Sequence, residues 1–114
     1  MKIIKRSSTT IIKEPAHGGS GVRKMYASAA HLKSPHFEAM VQTWLPAGNT
    51  FDWHEHTDTE EIMVVVKGSG SVFDEDGEYP YEPGDAFIFP ANTQHKIMNT
   101  SGEDHEMFFV RVRT

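Results

Sequence analysis

The sequence predicts an all-β single domain. Three observations carry that expectation: apolar and polar residues alternate at a period of two through most of the chain, Gly, Pro, Asn and Asp fill the breaks, and no segment keeps an apolar face at helical spacing for three turns. Strands are expected over 2–6, 21–28, 37–45, 51–54, 61–67, 70–74, 78–81, 86–89, 94–99 and 106–113. The breaks read PAGN, KGSG, DEDGE, EPGD and TSGED, residues that tolerate or pre-set turn geometry. DEDGE reads as a hairpin tip, with Asp76-Gly77 at the favoured turn positions. Many short strands without helices bury a sheet face only by forming a sandwich or a closed barrel.

At 114 residues the chain fits one core and one site. Residues 1–20 read as an arm and linker, the latter built on PAHGGSG, and 21–114 as the barrel domain. A net charge of −5 argues against nucleic acid, whose phosphates need a Lys/Arg surplus. The absence of cysteine excludes disulfides, thiolate metal sites and cysteine nucleophiles together. The opening MKIIKRSSTTIIKEP lacks the continuous apolar run of a signal peptide or membrane span, so a cytoplasmic protein with no membrane partner is expected.

The stretch WHEHTDTEEIMVVVKG concentrates the chemistry. Residues two apart on a strand share a face, so His54 and His56 can aim both rings at one point. A hairpin bend could return the carboxylate of Glu61 beside them, and His95 stands on a later strand after a proline turn. Three imidazoles and a carboxylate suit Mn, Fe(II), Ni, Zn or Cu and not Ca or Mg, which want oxygen.

The spacing here resembles a known family. Gly48, His54, His56, Glu61 and Gly68 stand at the offsets of the first conserved motif of the cupin superfamily. Gly84, Pro90, His95 and Asn99 stand at those of the second. The departure is Asn92, where the family usually has glycine; Asn also tolerates left-handed backbone. The resemblance implies a single-domain jelly-roll β-barrel holding one divalent metal (Mn, Fe, Ni or Zn) on His54, His56, Glu61 and His95, often as a homodimer. It also implies a small-molecule ligand or substrate. Dioxygenase, decarboxylase, isomerase or lyase chemistry on a small oxygen-rich acid or sugar is the enzymatic reading, and a non-catalytic ligand-binding barrel the alternative. Glu60 rivals Glu61, since the family tolerates three residues between His and Glu; the distance to Gly68 favours Glu61, leaving Glu60 as a solvated loop carboxylate.

Alternation then places the pocket. If Glu61 points inward, Met63 and Val65 follow it, while Ile62, Val64 and Val66 face a covering layer. His95 brings Ile97 and Asn99 to its face. On 37–45 the larger, mixed face of Met40, Gln42 and Trp44 is expected to line the pocket. On 106–113 the set Met107, Phe109 and Arg111 is expected there, with Phe108, Val110 and Val112 in the core; Arg111 could pair with an anionic substrate. Tyr26, Tyr79 and Tyr81 fall in edge or turn segments. His17, His31, His36 and His105 have no spacing logic and are expected at the surface. Exposed apolar arm residues Ile3, Ile4, Ile11 and Ile12 suggest a homodimer in which the arm adds to the partner's sheet.

Overall fold

The computed structural model describes residues 3–16 and 20–114. Its ten strands are β1 (Glu14–Pro15), β2 (Val22–Ser28), β3 (Phe37–Leu45), β4 (Thr50–His54), β5 (Thr59–Lys67), β6 (Gly70–Asp74), β7 (Gly77–Tyr81), β8 (Ala86–Phe89), β9 (His95–Met98) and β10 (His105–Arg113). A single 3-10 turn, Ala29–His31, interrupts them, capped by Ser28 with His31 reaching back to the Ser28 backbone. The strands form a six-stranded sheet, ordered β1-β2-β3-β10-β5-β8, and a four-stranded sheet, ordered β4-β9-β6-β7. Every pairing is antiparallel. Consecutive strands repeatedly change sheet, giving the two-layer jelly roll.

The core lies between the sheets. Leu45, Met63, Val65, Ile97 and Met107 are fully enclosed there, each burial removing apolar surface worth about 2 kcal/mol. Register decides which residues share this space. Ala39, Val41 and Thr43 lie opposite Arg111, Phe109 and Met107, which in turn lie beside Glu61, Met63 and Val65. Small residues on β3 thus make room for large ones on β10.

That register inverts the expected face of 37–45. Met40 is exposed and Gln42 turns outward, its amide donating to Glu106 (3.0 Å) and accepting from the Tyr26 hydroxyl (2.7 Å). On β10 the set Met107, Phe109 and Arg111 does face inward, but Phe108, Val110 and Val112 sit half-buried on the outer face and not in the core. Ile62, Val64 and Val66 are 38–43% exposed, so the layer expected over them is not supplied by the described residues.

The arm also differs. Residues 3–6 form no strand, and Lys2 lies outside the described residues. Arg6 instead donates to the carbonyls of Tyr26 (3.0 Å) and Met25 (3.3 Å), where a bulge in β2 leaves acceptors unpaired. The strand pairing comes later, from Glu14 and Pro15 onto β2 of the same chain. The 74–78 hairpin forms with Gly77 already paired to Asp74, so Glu75 and Asp76 take the central turn positions in place of the expected Asp76 and Gly77, and Asp74 Oδ1 accepts from the backbone of Asp76 and Gly77.

Candidate functional site

The histidines converge from three segments. His54 ends β4 and pairs in register with His95, the first residue of β9, which sets their ring centroids 4.2 Å apart. His56 lies just past β4 in the connection to β5, its ring 5.3 Å from that of His54. One nitrogen from each of His54, His56 and His95 lies within 4.8 Å of the others. The backbone builds this meeting. Asn92 takes the left-handed conformation (φ 62°) the sequence allows, and from that turn its N–H donates to the His56 carbonyl at 2.7 Å. Gln94 adds a side-chain bond to Glu55.

Each ring is also oriented. His54 Nδ1 is bonded to the Asp52 carbonyl (2.7 Å) and His95 Nδ1 to that of Thr93 (2.9 Å), so both rings turn Nε2 toward the cluster. Burial pushes the pKa values of His56 and His95 below the ordinary imidazole range. Neutral rings are what a metal requires. His56 Nε2 and His95 Nε2 are buried without a hydrogen-bond partner among the described residues. Leaving such atoms dry and unpaired costs about 1–3 kcal/mol each. A cation between them would satisfy both, so the residues present fit a metal.

Glu60 is exposed, whereas Glu61 is buried on the inner face of β5. Its Oε1 lies 3.9 Å from His56 Nε2, while Oε2 accepts from Arg111 Nε (3.2 Å) and Nη2 (3.1 Å). Glu61 thus stands beside the imidazole cluster, held from behind by the arginine paired with it across β5 and β10. Arg111 also bonds Glu38 at 3.3 Å.

A cavity of about 40 Å³ adjoins these groups, between the β1–β2 edge of one sheet and β4 of the other, with room for a few water molecules. Of the pocket residues expected from the sequence, Ile97, Phe109 and Arg111 line it; Met63 is enclosed in the core, and Met40 and Gln42 are on the outer face. Val41 and Thr43 stand where Met40 and Gln42 were expected. Alternation on β3 left the choice of face open, and size settled it. Arg23 was missed altogether: it reaches the cavity from β2, with Nε donating to Glu14 at 2.9 Å. Its signal was one of two adjacent charges, Arg23 and Lys24, in an otherwise ordinary strand, and alternation turns the two to opposite faces.

His105 is the other correction: it is not at the surface but 1% exposed, packed beside Tyr81, which lies on edge strand β7 as expected and is itself buried. His105 Nδ1 shares a 2.6 Å hydrogen bond with the Tyr81 hydroxyl, and Nε2 lies 3.0 Å from Ser101 Oγ. A Cβ on Gly68 (φ 102°) would overlap the His105 ring, so this glycine both turns the chain and makes space. The available signal was the alternation His105, Met107, Phe109. Asn99 fixes the neighbouring turn, donating to the carbonyls of Leu45, Pro46 and Glu103. His31 and His36 are exposed, as expected, and His17 lies outside the described residues.

A two-sheet jelly roll with an imidazole cluster between its layers defines a class of barrel. The cupin-domain family model matches residues 40–111, and the chain belongs to the cupin family. It is similar to auxin-binding protein 1 of Arabidopsis thaliana, 30% identical with 82% of this chain aligned, and spans about half (52%) of that protein's length. An uncharacterized protein of Methanocaldococcus jannaschii is also 30% identical, over 87% of this chain and 78% of that one. Among solved structures, a predicted oxalate decarboxylase from Thermotoga maritima superposes with a TM-score of 0.83 at 24% identity, covering 97% of this chain and 100% of that one. That likeness shows the fold.

Proposed function

We propose that this cupin uses one divalent transition metal (Mn, Fe, Ni or Zn), held by His54, His56 and His95 with Glu61 as a further donor, to act on a small carboxylic acid. The pair of buried, unpartnered imidazole nitrogens carries the reading. When bound, such a metal supplies a Lewis acid and, if redox-active, one-electron chemistry. The chain's own residues do the rest. Arg111 fixes the orientation of Glu61 through Oε2 and leaves Oε1 on the side of His56. Arg23 brings a guanidinium group to the small cavity, the chemistry that recognises carboxylates, while Arg111, already bonded to Glu61 and Glu38, adds positive charge to the wall. Arg23 spends only Nε on Glu14 among the described residues, which leaves its terminal nitrogens for a ligand. The name of the Thermotoga relative points to the same class of acid.

A second reading, a barrel that binds its ligand without turnover, draws on one observation. The titratable residues lining the cavity are Arg23, His54, Glu61 and Arg111; the buried tyrosine, Tyr81, is bonded to His105 instead. No separate acid or base lines the cavity among the described residues. The name of the Arabidopsis relative is that of a binder.

Elemental analysis of untagged protein prepared without chelator tests the first step. One Mn, Fe, Ni or Zn per chain is expected, absent from a His56→Ala/His95→Ala variant. Oxalate and related small acids are then offered to the loaded protein, with Arg23→Gln expected to weaken binding about tenfold or more. Saturable binding without turnover would favour the binder. Failure to take up any added metal would overturn the metal reading.

We further infer a homodimer through the outer face of the six-stranded sheet. Ile62, Val64, Val66 and Ile88 leave an apolar stripe on that face which pairing across a two-fold axis would cover. Sedimentation showing a monomer at micromolar concentration would count against it.

A further inference from the structure

The sandwich has a second opening. It lies between β8, an edge of the six-stranded sheet, and the β6–β7 edge of the other, and it holds a cavity of about 190 Å³, several times larger than the one beside Arg23. Val72, Phe87 and Phe89 form its apolar walls, with Asp74, Tyr79, Ile88, Thr93 and His95 completing the lining. The imidazole cluster therefore stands between two spaces, His54 lining one and His95 the other. The first carries Arg23, Arg111 and Glu61; the second, among the described residues, carries no arginine or lysine and has Val72, Phe87 and Phe89 on its walls.

The lining also states what fits. Phe87 stacks on Phe89 with centroids 6.3 Å apart, and Phe89 stacks on the His95 ring at 4.3 Å, so the wall is a ladder of aromatic faces. The charged group in the lining is Asp74, and it is already bonded, to the backbone of Asp76 and Gly77 through Oδ1 and to the Tyr79 hydroxyl through Oδ2 (3.2 Å). Its carboxylate keeps the Tyr79 pKa raised, so that hydroxyl stays neutral. An anion meets a negative charge here and no cation in the lining. A neutral ring meets Val72, Phe87 and Phe89, and the space exceeds the roughly 150 Å³ that holds a benzene ring in a protein cavity.

We infer that this seam is a binding site for a neutral, single-ring aromatic molecule, seated against Phe87 and Phe89 on the side of His95 away from the arginines. The site needs no metal. It differs from the acid-binding cavity in both entrance and selectivity, so the imidazole cluster is flanked by one space for an anion and one for an uncharged ring.

The probes are fluorobenzene and 4-fluorobenzoate, the same ring without and with a charge. Fluorobenzene, followed by fluorine NMR and amide shifts of labelled protein, is expected to saturate, with shifts centred on residues 87–89 and 93–95. Val72→Phe, which fills the cavity, abolishes saturation. Phe87→Leu shortens the partly buried aromatic wall while keeping it apolar, and weakens binding about tenfold. The benzoate binds here at least about tenfold more weakly, because its charge must leave water beside Asp74. Absence of saturation, shifts that map elsewhere, indifference to Phe87→Leu, or equal binding of the two probes would each overturn the assignment. Zinc titration of the same samples reports on the imidazole cluster separately. Lost zinc uptake with ring binding intact would sink the metal reading and leave this one standing.

Discussion

Two groups of buried imidazole occupy the same barrel and differ in how their nitrogens are spent. His105 uses both, one on Tyr81 and one on Ser101. His54 and His95 each use Nδ1 on a carbonyl, and His56 Nε2 and His95 Nε2 are left buried without a partner. A folded chain keeps a dry, unpaired nitrogen only at a cost. The contrast teaches that burial of a histidine says little about its role, whereas the remaining hydrogen-bond capacity says much.

The comparison can be broken most sharply by exchanging losses. His105→Ala leaves the Tyr81 hydroxyl unpaired and a void beside Gly68, so it is expected to cost about 3 kcal/mol of folding stability while metal stoichiometry is unchanged. His56→Ala is expected to do the reverse, abolishing metal-induced stabilisation, which is about 2.7 kcal/mol at a hundredfold excess over Kd. Urea melts with and without added zinc measure both. Metal loss in the His105 variant, or none in the His56 variant, would erase the distinction.

Gly68→Ala tests the packing behind His105. The left-handed backbone and the overlap of its Cβ with the ring together predict a loss of about 2 kcal/mol. A melt unchanged from wild type would show that the ring can move aside.

The smallest effect is in pH dependence. Burial pushes the His105 pKa down and raises that of Tyr81 to about 12. Below about 6.5 the unfolded chain takes up a proton that folded His105 resists, so stability falls as the pH drops from there toward the depressed value. Above about 10 the unfolded chain releases a proton that folded Tyr81 retains, so stability falls again toward 12. His105→Gln keeps a polar partner and is expected to flatten the acidic limb relative to wild type in metal-free melts. Parallel acidic limbs would place the proton uptake on other groups.

Much of the molecule was legible in the chain. The turn residues cut it into strands whose limits differ by only a residue or two from those observed, the 2–6 segment excepted, because Gly, Pro and Asn act locally. The spacing of Gly48, His54, His56, Glu61 and Gly68 pointed to the jelly roll, and β5 turns Glu61 inward and Glu60 outward as period two requires. What stayed hidden was which face of a strand is the inner one. Met40 and Gln42 lost the cavity to Val41 and Thr43 because Phe109 and Arg111 fill the space opposite. The 2–6 segment was expected as a strand on its paired isoleucines, yet Arg6 found its acceptors on a bulge of β2.

The sequence by itself determined the fold class, the turns and the residue types available to a metal, because those depend on local backbone preference and on a period counted along the chain. Only the tertiary structure decided that His105 is satisfied while His56 and His95 are not, that Arg111 grips Glu61, and that one cavity opens beside His54 and another beside His95. These facts depend on groups far apart in the chain competing for the same few ångströms, and no pattern read along a single strand records who occupies the space across from it.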